Sequence, residues 1–134
     1  MQVLSSESLP IRSSEDIVIV RQAVRKRAVS LGFGLVDQTK FVTAASELAR
    51  NTLDYGGGGV VQIELVENVR KSGVRLVFED QGPGIPDIEL ALTEGYTSGN
   101  GMGLGLGEAK RLSHEFEIWS KPGEGTRVSI LRWK

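Results

Sequence analysis

Apolar residues in the first half of the chain recur with the period of two amphipathic helices. In the first helix, predicted over residues 15–31, the recurring positions are Ile17, Val20, Val24, Ala28 and Leu31. In the second, predicted over residues 37–55, the expected buried stripe is Phe41, Ala45, Leu48 and Thr52. Ser13 and Asp16 form the pattern of a capping box before the first helix, and Asp37 is expected to cap the second.

The apolar period then changes to two, which is typical of strands. Alternating segments around residues 61–65 and 74–78 predict a hairpin, with Gly73 expected at its turn. A second hairpin is predicted from residues 114–120 and 125–133, and the remaining expected elements are an opening strand over 3–12, a short helix near 87–93 and a helix over 103–113. Because hairpins dominate, we predict an α+β two-layer sandwich: a mixed, mostly antiparallel sheet with helices on one face.

Composition narrows the possible functions. The 134 residues predict a single domain spanning 1–134, and the net charge of -1 gives no electrostatic reason to expect nucleic acid or a membrane as a partner. The first helix carries four basic residues, for which a solvated face is expected: Arg21, Arg25, Lys26 and Arg27. Cysteine is absent, which excludes disulfides and thiolate sites. No leader or long apolar run is visible, so a cytoplasmic location is expected.

Glu47 and Asn51, in the segment ASELARN, are the first candidate functional pair. Four residues apart, they project from the same side of the second helix, beside its apolar stripe. A carboxylate can accept a proton from an attacking hydroxyl, and an amide oxygen suits a hard, hydrated Mg²⁺. An exposed polar pair would look the same in sequence, so the spacing alone does not establish a site.

The segment EDQGPGI at 79–85 is the second candidate, because it places an acid where a predicted strand ends. Asp80 is positioned to accept a hydrogen bond from an exocyclic amine such as that of adenine. Gly82 and Gly84 leave room for a flat group to approach. A simple turn also uses Asp, Gly and Pro, and it remains the alternative interpretation.

Glycine at every second position from 99 to 107 is the third candidate feature. A flexible linker accounts for Gly99 and Gly101 but not for Gly105 and Gly107, since glycine destabilises a helix by about 1 kcal/mol relative to alanine. Close approach of backbone N–H groups to phosphates at the start of a helix is the better explanation.

Three familiar nucleotide-binding patterns are absent. No glycine is followed by lysine, which excludes a Walker loop. A dinucleotide fingerprint needs a glycine where this chain has Leu106 or Glu108. The single histidine, His114, is not followed by Arg-Asp, which excludes a eukaryotic-type kinase loop.

The remaining pattern resembles the GHKL (Bergerat-fold) ATPases. ASELARN resembles their N box, EDQGPGI and GMGLGLG resemble their two glycine boxes, and GEGTRVSI at 123–130 resembles the segment that closes the pocket. The resemblance implies ATP and Mg²⁺ as cofactors, with Asp80 and Thr126 at the adenine, Gly82 and Gly84 beside it, Asn51 at the metal and Glu47 as general base. It further implies a short lid at 93–100 and a phosphate cradle formed by the backbone of Gly101, Gly103, Leu104, Gly105 and Leu106.

Within this superfamily the chain resembles the small bacterial switch kinases of the stressosome, through SELARNTLDYGGGG at 46–59 and LGLGEAKRLSHEFEI at 104–118. That resemblance implies a serine/threonine kinase that phosphorylates STAS-domain proteins and, once released, activates a PP2C-type phosphatase. Two alternatives stay open. One is an anti-sigma factor kinase that sequesters a sigma factor, and the other is a nucleotide-gated binding module without catalysis, against which the presence of both Glu47 and Asn51 argues.

Overall fold

One layer of the protein is a five-stranded sheet in the computed structural model, which describes residues 1–92 and 105–134. Its strands are β1 (Gln2–Ile11), β2 (Gly59–Glu67), β3 (Ser72–Asp80), β4 (Glu115–Lys121) and β5 (Gly125–Trp133). They lie in the order β1-β2-β3-β5-β4, and each neighbouring pair is antiparallel. The predicted α+β fold is therefore confirmed, and the described sheet is antiparallel throughout.

The second layer consists of helices packed on one face of that sheet. The two long helices are α1 (Ser14–Leu31) and α2 (Leu35–Asp54), followed by the short helices α3 (Ile88–Ala91) and α4 (Leu106–Arg111). The predicted stripe of α2 is fully buried, and it packs against inward-facing strand residues such as Ile63, Leu76 and Ile130. Thr52 is tolerated in this core because its hydroxyl donates to the carbonyl of Leu48 at 2.9 Å.

The start of α1 follows the prediction, whereas the start of α2 does not. Ser13 caps α1 by accepting from the N–H of Asp16 at 3.3 Å, while the Asp16 carboxylate accepts from the N–H of Arg12 at 2.8 Å. The N-cap of α2 is Gly34, so the prediction of Asp37 as its cap is wrong. Asp37 lies inside the first turn, and its carboxylate accepts instead from Arg132 at 2.7 Å.

The turn between β2 and β3 is also displaced from its predicted position. Gly73 lies inside β3 opposite Val66, and the turn is formed by residues 68–71. The side-chain oxygen of Asn68 accepts from the N–H groups of Arg70 and Lys71, both at 3.2 Å, which stabilises this turn. Gly73 serves close packing, since a Cβ there would lie 2.8 Å from the carbonyl oxygen of Arg132 on β5.

The four basic residues of α1 divide into two groups. Arg21 and Lys26 are exposed, as expected for a solvated face. Arg27 is half-buried and pairs with Glu7 of β1 at 3.1 Å, and Arg25 donates to the side chain of Gln38 at 3.2 Å. In the part of the chain that the structure describes, no helix combines the length and apolar character needed to cross a membrane.

Candidate active site

A small cavity lies between α2, the end of β3, the start of β5 and the start of α4. By area its walls are mainly apolar, and three of its polar side chains come from three separate sequence motifs: Asn51, Asp80 and Thr126. The remaining lining residues are Leu48, Thr52, Tyr55, Phe78, Ile85, Leu106 and Val128. Apolar walls with a few oriented polar groups are typical of small-molecule sites.

Asp80 enters the cavity because it is the last residue of β3, between Gly59 of β2 and Thr126 of β5. Its carboxylate accepts from the N–H of Gly82 at 2.9 Å. Burial raises the pKa of Asp80, and hydrogen bonds from the backbone of Gly82 and Thr126 partly oppose that rise. Asp80 is thus a half-buried hydrogen-bond acceptor whose position is fixed by the backbone of the turn that follows it.

The glycines of the turn after Asp80 pack against the chain itself. A Cβ at Gly82 would lie 2.7 Å from the Cα of Gly56, and a Cβ at Gly56 would overlap the Asp80 carboxylate. Gly84 has a φ of 77° and lies against the carbonyl of Lys121, so both its conformation and its surroundings favour glycine. Neither Gly82 nor Gly84 lines the cavity, and close packing gives each a structural reason to be glycine.

Two residues that sequence reasoning missed hold this turn in place. The hydroxyl of Tyr55, at the end of α2, donates to the carbonyl of Gly84 at 2.9 Å. The hydroxyl of Ser120 on β4 accepts from the N–H of Ile85 at 2.7 Å and lies 2.8 Å from the hydroxyl of Thr126. The observed register of the β4–β5 hairpin places Ser120 opposite Thr126, a pairing that the predicted hairpin did not specify.

Glu47 lies one turn before Asn51 on α2 and is half-buried against the start of α4. It contacts Gly105, where a Cβ would overlap the Glu47 carboxylate, and Gly105 also has a φ of 89°. Burial raises the pKa of Glu47; the negative charge of Glu108 raises it further, and Arg50 opposes the shift. Glu47 is outside the cavity lining but adjacent to it.

The second glycine box is only partly within the described residues. Gly105 is the N-cap of α4, and Leu106 is buried and lines the cavity. Gly101, Gly103, Leu104 and the expected lid at 93–100 lie outside the described residues. Within residues 1–92 and 105–134, no group of three or more His, Cys, Asp or Glu side chains is arranged to hold a metal ion.

The family of histidine kinase-, DNA gyrase B-, and HSP90-like ATPases matches residues 36–134 of the chain. The chain belongs to this GHKL family. It is 46% identical over 123 residues to the serine/threonine-protein kinase RsbT of Bacillus subtilis, a match that covers 92% of each protein. It is 27% identical over 129 residues to the anti-sigma F factor of Clostridium novyi, covering 91% of this chain and 89% of that one.

A solved structure supports the fold assignment. The crystal structure of the RsbU and RsbW domains of a Mycobacterium tuberculosis protein superposes with a TM-score of 0.66 at 20% identity, covering 97% of this chain and 33% of that one. The predicted family is therefore confirmed by a sequence match and the fold by a structural one. The predicted enzyme class, serine/threonine protein kinase, is confirmed by the relative at 46% identity.

Proposed function

We propose that the chain transfers the γ-phosphoryl group of ATP to a serine or threonine hydroxyl of a STAS-domain partner protein. The observation that carries this proposal is the convergence of Asn51, Asp80 and Thr126, from three separate motifs, on one cavity. Membership of an ATPase family and the similarity to RsbT support ATP as the phosphoryl donor.

The adenine is proposed to occupy the end of the cavity at β3 and β5. There the Asp80 carboxylate would accept from the exocyclic amine, and Thr126 would contribute its hydroxyl beside it. Apolar side chains such as Phe78, Ile85 and Val128 line the same space and suit the faces of a purine. In this proposal Gly82 and Gly84 do not contact the adenine; they allow the close-packed turn that holds Asp80 in position.

The triphosphate is proposed to lie between α2 and the start of α4. The backbone from Gly101 to Leu106 is its expected cradle, and Asn51 is the expected protein ligand of Mg²⁺. The side-chain oxygen of Asn51 suits this role, because Mg²⁺ in nucleotide sites binds one or two protein oxygens and completes its coordination shell with phosphate oxygens and water. When bound, the ion would neutralise negative charge on the phosphates.

Glu47 is proposed to act as the general base. The partner's hydroxyl oxygen forms a bond to the γ-phosphorus as the bond from that phosphorus to the β–γ bridging oxygen breaks and ADP departs. The hydroxyl proton passes to the Glu47 carboxylate. The raised pKa of Glu47 suits this role, because a stronger base accepts the proton more readily near neutral pH.

The partner assignment depends on the resemblance to stressosome switch kinases. We propose that the chain phosphorylates STAS-domain proteins of a stressosome-like assembly and, when released, activates a PP2C-type phosphatase. The similarity to an anti-sigma F factor favours one alternative, a kinase that sequesters a sigma factor. The identity to RsbT is higher over a comparable share of the chain, which favours the first assignment.

Phosphotransfer to a candidate STAS protein tests this proposal. The chain is incubated with radiolabelled ATP, Mg²⁺ and candidate STAS proteins, and the labelled residue is identified. We expect label on serine or threonine, and none with Asn51→Ala. Asp54→Ala is the matched control and should retain activity. Asp54 lies about one turn after Asn51 on α2, is exposed, and pairs with Arg50 at 4.0 Å. Equal labelling by Asn51→Ala and the wild type would refute the metal-ligand role, and stable capture of a sigma factor would favour the alternative.

A further inference from the structure

Ser120 is the centre of a hydrogen-bond cluster beside the cavity, although it does not line the cavity itself. Its hydroxyl oxygen accepts from the N–H of Ile85 at 2.7 Å, lies 3.1 Å from the carbonyl oxygen of Gly125, and lies 2.8 Å from the hydroxyl oxygen of Thr126. Ile85 and Thr126 both line the cavity. A single hydroxyl on β4 therefore contacts two walls of the candidate site.

The number of available protons determines the direction of these bonds. Ser120 has one hydroxyl proton, and the carbonyl of Gly125 can only accept. If Ser120 donates to Gly125, it can accept from both Ile85 and Thr126, and all three contacts become hydrogen bonds. If Ser120 donates to Thr126 instead, the contact with Gly125 contains no proton. The first arrangement makes one more hydrogen bond among these three contacts, so we assign the Thr126 proton to the contact with Ser120.

This arrangement fixes what Thr126 can offer to a ligand. With its proton committed to Ser120, the Thr126 oxygen presents lone pairs and acts as an acceptor. Asp80, directly opposite Thr126 in the sheet register, is also an acceptor. Two adjacent acceptors favour a ring substituent that donates, such as an amine, and disfavour one that accepts, such as a carbonyl.

We propose that Ser120 is a positioning residue that orients the Thr126 hydroxyl as an acceptor and thereby selects 6-amino purines over 6-oxo purines. This inference rests on the proposed nucleotide-binding function and adds a specificity determinant to it. Removing the Ser120 hydroxyl frees the Thr126 proton, which can then turn toward the cavity and donate to a carbonyl. The predicted effect is on the choice between the two purines.

The test compares the affinities of the full chain for ATP and ITP. ITP has a carbonyl in place of the amine at position 6, and an N–H donor in place of the acceptor at N1. We expect Ser120→Ala to reduce the ATP-to-ITP affinity ratio by roughly tenfold, the equivalent of one hydrogen bond. Ser120→Thr, which keeps the hydroxyl, should retain the wild-type ratio. Ser129→Ala, the same change on the outward face of β5, is the control and should also leave the ratio unchanged.

If Ser120 has a purely structural role, Ser120→Ala will weaken the binding of ATP and ITP equally. The affinity ratio will then be unchanged, a result that would overturn the inference. Because Ser120 acts through Thr126, Ser120→Ala should have no effect on the ratio in a Thr126→Val background, and an undiminished effect there would also overturn it. If Ser120→Ala does not fold, Ser120→Cys is measured in the same way. Failure of the wild type to bind either nucleotide would refute the proposed function itself, a result distinct from an unchanged ratio.

Discussion

The Asp80→Asn variant separates a role of Asp80 in binding from a role in folding. Asparagine has nearly the same shape, and its side-chain oxygen can still accept from the N–H of Gly82, as Asp80 does at 2.9 Å. The remaining side-chain atom facing the cavity changes from an acceptor into an amide N–H donor, which opposes the amine of adenine. The variant therefore keeps the turn while removing the proposed contact with the base.

The expected loss of ATP affinity follows from the kind of hydrogen bond removed. A hydrogen bond to a charged group contributes about 1.5–3 kcal/mol. That range corresponds to a roughly 10- to 150-fold weaker dissociation constant for ATP, measured by isothermal titration calorimetry in the presence of Mg²⁺. Glu79→Gln is the matched control, because Glu79 is the preceding residue, is 49% exposed and pairs with Arg127 away from the cavity. It should bind ATP as the wild type does.

Asp80→Asn should not reduce protein stability, although it reduces ATP affinity. Burial raises the pKa of Asp80, so the folded state favours its protonated form. The associated stabilisation is present below the unfolded-state pKa and is lost as pH rises through the folded-state pKa, which leaves the carboxylate unfavourable at neutral pH. Asp80→Asn should thus match or exceed the wild type in melting temperature at pH 7.

An ATP affinity of Asp80→Asn within twofold of the wild type would refute adenine recognition by Asp80.

Two further substitutions test the start of α4 and the proposed base. Glu47→Gln is expected to lower the rate of phosphotransfer by about 10²–10⁴-fold while ATP still binds. Because the pKa of Glu47 is raised, the wild-type rate should fall as pH decreases through that raised pKa, and an unchanged pH profile in Glu47→Gln would contradict the assignment. Gly105→Ala should lower the free energy of unfolding, measured in urea, by more than the roughly 1–2 kcal/mol expected for a left-handed alanine alone, because its Cβ would also overlap Glu47. Gly123→Ala, with a φ of 81° and nothing within 4 Å of its Cβ, measures the conformational part by itself, and equal losses in the two variants would exclude the steric part.

Much of the fold follows from local patterns in the sequence. The buried stripe of α2 and the alternation of Val61 with Ile63 in β2 and of Leu76 with Phe78 in β3 are strong signals, because these residues belong to the core between the helices and the sheet. The spacing of Glu47 and Asn51 also places both at the same end of α2, beside the cavity. These features depend on residues close together in the chain.

The incorrect predictions concern contacts between distant segments. Aspartate is a common residue type at helix N-caps, but the carboxylate of Asp37 instead accepts a hydrogen bond from Arg132, which is 95 residues away in the chain. Glycine is a common residue type in turns, but Gly73 lies inside a strand. The adjacent strand β5 approaches it too closely to leave room for a side chain. No local pattern shows that Gly56 and Gly82 pack against each other. Such contacts become visible only once the sheet and helices are assembled.

Magnesium-dependent binding of ATP to the purified chain tests the central claim most directly. The claim is that an adenine nucleotide lies between the Asn51 end of α2 and the start of α4, with its base at Asp80. Titration calorimetry should show ATP binding that is strengthened by Mg²⁺ in the wild type, with that magnesium effect absent in Asn51→Ala. No detectable heat of ATP binding with or without Mg²⁺, from protein shown to be folded, would contradict the account.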